Sequence, residues 1–254
     1  MRKPVRVILI FICMVIIVCS GGLIIAIMYG YHSGSRSYVD LMQYCHSPEM
    51  FSDVSTTQTE YPSDNPSDDF PVVDFEELRE INPDVIGWIQ ISDTSINYPV
   101  LQGSDNTYYL THLADGTRNR CGSIFLDCRS DADFLDRHSI IHGHNMGDGS
   151  MFQDLLLYQS QDFFDAHPIA YLVTPTHNYK IEFFTGSLVG VDSDIWKFDF
   201  AGDSGFQKWI DNCNALAQVS SPLHPTASDK IITLSTCSYA FHEARWVLQG
   251  VLRG

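Results

Sequence analysis

The chain has 254 residues, 44% of them hydrophobic and 18% charged, with a formal net charge of −16. That is enough for one good-sized domain with extensions, or for two small domains. The acidic balance argues against nucleic acid as a partner, because binding to phosphates needs a basic surface.

The first 30 residues differ in kind from the rest. Arg2, Lys3 and Arg6 precede an uncharged stretch from Val7 to Met28, and the next basic residue is Arg36. As a helix rising about 1.5 Å per residue, that stretch crosses about 30 Å of hydrocarbon. The basic flank comes before the span, so the N-terminus is expected in the cytoplasm and the remainder outside. A cleavable signal peptide is the competing reading. Its apolar core is normally about 7–15 residues, and no clear small-x-small cleavage site is present. Residues 1–30 are therefore read as a cytoplasmic tip and an uncleaved, single-pass signal-anchor in the cell membrane. Residues 31–72 are read as an extracytoplasmic stalk, of which 31–45 either continue the membrane helix or pack loosely near the membrane. Its stretch from about 46 onward is rich in Ser, Thr, Asp and Pro, as in Tyr61-Pro62-Ser63-Asp64-Asn65-Pro66, and cannot bury a core.

The folded domain is expected over 73–254. It opens with a short helix, Asp74–Ile81, that stops before Asn82-Pro83. Strand-like runs follow at 85–91, 96–101, 122–126, 139–142, 169–173, 179–189, 230–235 and 245–252. Eight short strands suit a closed barrel better than an open sheet. Helices are predicted at 150–157 and 161–166, and over 204–216 within a long connection from Asp192 to Asp229. A connection of that length in a compact domain is more often functional than idle.

Seven cysteines in an exported chain would ordinarily suggest disulfides. Cys13 and Cys19 fall in the apolar span, however, which leaves an odd five. Cys121 and Cys128 bracket a predicted strand, whose extended length of about 23 Å far exceeds the ~4.4–6.8 Å that a disulfide allows between Cα atoms. Free thiols are expected.

Three features carry chemistry. Cys237 closes the run Thr233-Leu234-Ser235-Thr236-Cys237 at the end of a buried-type strand. Most free cysteines are small buried hydrophobes, but a strand end is where a side chain can emerge into a cleft. His142-Gly143-His144-Asn145 also sits at a strand end. These histidines could be structural, or with His138 and Asp136 could hold zinc, since imidazoles two apart on a strand share a face. Arg245 opens an otherwise apolar strand and could equally form a surface ion pair. Together the three supply a thiol, a proton carrier and a permanently charged donor for an oxyanion, which is what nucleophilic acyl transfer needs.

In the order His144, Thr233–Cys237, Arg245, the chain resembles the sortase family, cysteine transpeptidases of Gram-positive bacteria. Class B is the most similar. The strings Tyr98-Pro99-Val100-Leu101-Gln102, Asp105-Asn106-Thr107-Tyr108-Tyr109-Leu110, Gly122–Asp127 and Gly143-His144-Asn145-Met146 carry the likeness over roughly residues 74 to 254. The resemblance implies a mainly-β fold, an eight-stranded sortase-type barrel with peripheral helices, preceded by the transmembrane helix. It implies Cys237, His144 and Arg245 as the catalytic three, His144 rather than His142. Substrate-groove positions carry over to Asn106, Leu110 and Ser235, with Ile195 and Trp196 as the wall of the long loop. It implies no metal or organic cofactor. The expected partners are surface proteins bearing a C-terminal sorting motif similar to Asn-Pro-x-Thr-Asn, cleaved after Thr, and an amine acceptor on peptidoglycan, its precursor or a pilin. A cysteine endopeptidase using water, a zinc hydrolase using the histidines and a silent wall-binding domain are the rival readings.

Overall fold

The structure, a computed structural model, describes residues 3–46 and 70–254. Helix α1 (Lys3–Leu41) is followed by a 3-10 turn (Met42–Tyr44) and by β1 (Cys45–His46), which pairs with β2 (Val72–Val73). Helix α2 (Phe75–Ile81) starts where expected: Asp74 caps it, its carboxylate accepting from the Glu77 amide at 3.0 Å.

The eight runs read as strands all form, as β3 (Val85–Gln90), β4 (Asn97–Leu101), β5 (Ile124–Leu126), β6 (His138–Gly143), β7 (Ile169–Val173), β8 (Asn178–Val189), β10 (Lys230–Cys237) and β11 (Arg245–Arg253). Their order is β11-β10-β6-β5-β4-β3-β7-β8, and β8 also pairs with β11, which closes the barrel. The two-residue β9 (Val219–Ser220) adds to β8 outside the ring. Strand β5 is shorter than the sequence suggests, because Gly122 takes a positive φ and the Ser123 amide is spent on the Tyr109 carbonyl. The helix expected at 150–157 is a 3-10 run over Gln153–Gln159, and α3 (Gln161–Ala166) follows it.

Two cores support this wall. The alternation of β10 sends Ile232 and Leu234 into the barrel interior, among Trp88, Phe125, Phe152, Phe183 and Trp246. The opposite face is covered by helix α4 (Gly202–Ala215), whose Phe206, Trp209, Ile210 and Cys213 recur at three- and four-residue spacing and meet Ile231, Val247 and Val251. Each such large side chain contributes about 1.5–3 kcal/mol by leaving water.

The segment read as stalk is not uniform. Residues 31–41 continue α1, and Tyr38 and Leu41 are buried against the barrel. The polar run Ser33-Gly34-Ser35-Arg36-Ser37 masks an apolar face of Tyr38, Leu41 and Tyr44 at helical spacing. The remainder of the expected stalk, 47–69, lies outside the described residues. On α1 the large apolar side chains of Ile10–Met28 are mostly exposed, and this helix is long and apolar enough to cross a membrane.

Candidate active site

Register decides what meets at the end of the barrel. Antiparallel pairing sets Cys237 directly opposite Arg245, on the last rung of β10 and the first of β11. Parallel pairing of β10 with β6 matches Ser235 to His142 and Thr236 to Gly143, so the next rung brings Cys237 alongside His144. The Asn145 side-chain amide donates to the Cys237 carbonyl at 3.1 Å and fastens the two strand ends together. Cys237 and Arg245 are both half-buried, on the outer face of the sheet.

His144 Nε2 lies 2.7 Å from the Leu110 carbonyl. A carbonyl can only accept, so Nε2 holds a proton and Nδ1 is the nitrogen left for proton transfer. The Arg245 guanidinium spends one N–H on Ala244 O at 3.1 Å. It has five donors in all.

These side chains line a groove of about 440 Å³. Asn106, Leu110, Ser235 and Trp196 line it as well. Asn106 also accepts from the Cys128 amide at 2.8 Å, so it shapes the turn after β5. Ile195 does not reach the groove. It is fully buried in the outer core, because the 3-10 turn Asp194–Trp196 points consecutive side chains to different sides. The expectation of Ile195 as a groove residue is thus corrected: it is the anchor behind Trp196. That wall is pinned from three directions. Trp196 Nε1 donates to Gly190 O (2.9 Å), Trp209 Nε1 to Asp194 O (2.9 Å), and His138 Nδ1 to Lys197 O (2.8 Å).

Sequence reasoning missed the charged floor. Asp127 is buried, accepts from Arg129 Nε and Nη2 (2.8 Å each), and meets His142 Nε2 at 3.3 Å. Burial alone would raise its pKa, but Arg129 and His142 outweigh that and hold the carboxyl well below the usual range. Arg129 lies over the Phe198 ring at 4.2 Å, tying this floor to the wall. The available signal was an acidic residue ending the buried run Ile124-Phe125-Leu126.

The histidines are engaged separately. Both ring nitrogens of His138 are taken, by Lys197 O and by Thr233 Oγ1 (2.8 Å). Among the described residues no three metal-ligating groups come together. All seven cysteines are free. Burial pushes the thiols of Cys45 and Cys121 up to about 11 and that of Cys213 up to about 12, which makes them poor nucleophiles.

No family model matches the chain. Known proteins do. Sortase B of Listeria monocytogenes is 34% identical over 222 residues, 87% of this chain and 90% of the relative. The chain belongs to the sortase B family. Sortase B of Staphylococcus aureus is 36% identical over 169 residues, 66% of this chain and 69% of the relative. A crystal structure of the S. aureus sortase B superposes with a TM-score of 0.67 at 35% identity, covering 70% of this chain and 86% of that one. One of the Listeria sortase B gives 0.64 at 38% identity, covering 70% and 99%. The eight-stranded closed barrel is thus the sortase fold, and the chain is a sortase-type transpeptidase enzyme.

Proposed function

We propose that this sortase is a membrane-anchored cysteine transpeptidase in which Cys237 is the nucleophile, His144 the proton carrier and Arg245 the oxyanion donor. The observation that carries the reading is the facing of Cys237 and Arg245 across one rung at the lip of a groove that also holds His144. The Cys237 thiolate attacks the Thr carbonyl carbon of a motif similar to Asn-Pro-x-Thr-Asn, at the peptide bond that follows Thr. Charge develops on the carbonyl oxygen, beside the Arg245 guanidinium. The carbon–nitrogen bond breaks, His144 gives its proton to the leaving amine, and a thioester remains. A primary amine of the cell wall or of a pilin then attacks the thioester. Its proton passes to His144, the carbon–sulfur bond breaks, and the thiolate is restored.

Asn106, Leu110, Ser235 and Trp196 are proposed to hold the peptide in the groove. The S. aureus sortase B has been solved with a substrate, and a sortase B has been solved with triglycine, a peptide whose primary amine is of the kind the second step needs. Helix α1 is proposed as the single-pass anchor, with the N-terminus in the cytoplasm and the barrel outside.

The test is to mix the protein with a peptide bearing the motif and weigh it. A thioester adduct is expected in the parent and none in Cys237→Ala. Added triglycine should turn the released product from acid to amide. An adduct that survives Cys237→Ala, or free acid alone at saturating amine, would refute the transpeptidase reading. The second result would leave a cysteine endopeptidase. Activity in Cys237→Ala that a chelator removes would point to the zinc hydrolase.

A further inference from the structure

Helix α1 does not end at the membrane span; its last three turns lie against the barrel, on the loop that also carries Leu110. Asn119 Nδ2 donates to Gly30 O (3.0 Å) and to Ser33 Oγ (3.1 Å). Gly34 faces Cys121 so closely that a Cβ there would stand 2.7 Å from the cysteine sulfur. The buried Tyr38 packs edge-on against Tyr98, and its hydroxyl donates to the Gly122 carbonyl at 2.7 Å. The same hydroxyl lies 2.9 Å from Ser123 Oγ, which donates to His112 O at 2.8 Å. Beyond the helix, the Asp74 amide donates to Tyr44 O (2.9 Å), and β1 pairs with β2.

Tyr98 apart, the barrel groups that meet Gly30, Ser33, Gly34 and Tyr38 in these contacts belong to one loop, residues 107–123. That loop is held by Ser123 N to Tyr109 O, Asn119 N to Thr111 O and Gly122 N to Asn119 O. The same loop supplies the Leu110 carbonyl that fixes His144. Gly122 is where the two ends meet. Its carbonyl accepts the hydrogen bond from the Tyr38 hydroxyl, it sits at φ +58°, and a Cβ on it would lie 2.8 Å from Leu110 O and 3.0 Å from the His144 ring. Only glycine is tolerated in that conformation with the ring so near.

We propose that the membrane-proximal end of α1 is a docked part of the catalytic domain, and that Tyr38 is a positioning residue that sets His144 through Gly122 and the Leu110 carbonyl. The inference rests on the roles proposed above for Cys237 and His144. It makes the anchor more than a tether. Ten residues separate Met28 from Tyr38, a helical rise of about 15 Å. A docked helix therefore holds the groove at a set height and angle over the bilayer, and any displacement of the helix reaches the histidine.

The structure supplies its own reporter. Cys121 is buried under Gly34, whereas Cys128 is exposed and serves as an internal control. The full chain in dodecylmaltoside micelles is treated with iodoacetamide, and labelling of Cys121, Cys128 and Cys237 is followed by mass spectrometry across pH. Gly34→Leu keeps the helix but removes the room for docking. It should speed Cys121 labelling about tenfold or more, shift the pH profile of Cys237 labelling, and lower kcat with KM little changed, by up to about a hundredfold. Tyr38→Phe keeps the ring and loses only the hydroxyl. It should lower kcat about fivefold with the same profile shift and with Cys121 still protected. If Cys121 labels as fast in the parent as in Gly34→Leu, the helix is not docked. If Gly34→Leu exposes Cys121 while the Cys237 profile and kcat stay unchanged, docking is real and the coupling is not. Labelling needs no sorting peptide. A failure of the transpeptidase reading would appear separately, as no thioester with any peptide while the labelling pattern stands.

Discussion

The two faces of the β10–β11 hairpin are made from the same strands and do opposite work. Inward, Ile232, Leu234, Trp246 and Leu248 are fully buried in the barrel. Outward, the same alternation presents Thr233, Ser235 and Cys237 on one strand, with Arg245, Val247 and Gln249 facing them. One face excludes water, and the other carries the thiol and the guanidinium of the proposed chemistry, with His144 brought alongside from the end of β6. A strand is the element that permits this, because a one-residue step reverses the face. Cys237 and Arg245 stand at the open end of the outward face, where the rigid wall stops and the groove begins. Closer to α4 that face is buried again, under a second core. The site is therefore a polar strip between two apolar layers.

If the faces are separable in function, substitutions on each should fail differently. Arg245→Ala should lower the rate of thioester formation by about 10²–10³-fold, the usual cost of losing an oxyanion donor. The midpoint of urea unfolding should hardly move, since Arg245 is half-buried and lies at a strand end. Leu234→Ala, three residues before Cys237 but pointing inward, should cost about 2–5 kcal/mol of stability through lost burial and a cavity. Its thioester rate per folded molecule should stay near that of the parent. Stopped-flow acylation and urea titration on both variants decide the matter. A rate loss in Leu234→Ala equal to that of Arg245→Ala would mean that the two faces are not independent.

The deep end of the outward face gives the next largest effect. His138 is buried neutral, with its pKa pushed down to about 4 by burial. The unfolded chain takes up a proton near the ordinary histidine value of about 6.5, and the folded protein does not. Stability should therefore fall as pH drops from about 6.5 to about 4, by about 3 kcal/mol in total, and level off below. His138→Gln should lose that portion of the pH dependence. Urea titrations of both proteins between pH 7 and pH 4 measure it, and the difference between the two curves removes the contribution of carboxylates such as Asp127. Nδ1 donates to Lys197 O in either state, so the added proton falls on Nε2 and removes the bond accepted from Thr233 Oγ1. Trp209, whose ring centre is 4.3 Å from that of His138, should report this by fluorescence quenching before global unfolding.

How far the sequence reveals all this depends on whether a periodicity was available to read. The eight strands were legible because each is a short, largely apolar run of strand length, with alternation visible in Tyr179–Phe183, and the closed barrel was expected from their number and length. That Cys237, His144 and Arg245 would meet at one groove was legible because each falls at a strand end in a specific string. Ile195 and Trp196 were not separable, because a 3-10 turn in a loop offers no period to tell core from groove. Asp127 and Arg129 went unread as the floor, since two residues apart on a loop looks like an ordinary surface ion pair until Asp127 proves buried. Tyr38 was hidden differently: its neighbours are small and polar, the signature of a linker, and only their closeness to Cys121 and Gly122 shows that small residues are there to let the helix approach.

The smallest effect tests the seam where the faces end. Asn145 follows the histidine, and its amide donates to the carbonyl of Cys237 itself. The bond acts on the backbone, so it constrains where the sulfur sits without touching substrate. Asn145→Ala removes the donor, and the loss should be that of one neutral hydrogen bond, about 1 kcal/mol, or about fivefold in the acylation rate. Asn145→Asp is nearly the same shape but offers carboxylate oxygens where a donor was, facing a carbonyl that can only accept. Repulsion should then push the end of β10 away, and the rate should fall further than in Asn145→Ala. A fall confined to kcat would mark an effect on the placing of Cys237, whereas a rise in KM would mean that Asn145 shapes the groove. If Asn145→Asp acylates as fast as the parent, the clamp on Cys237 is not used, and parallel pairing of β6 with β10 alone sets the distance between thiol and imidazole.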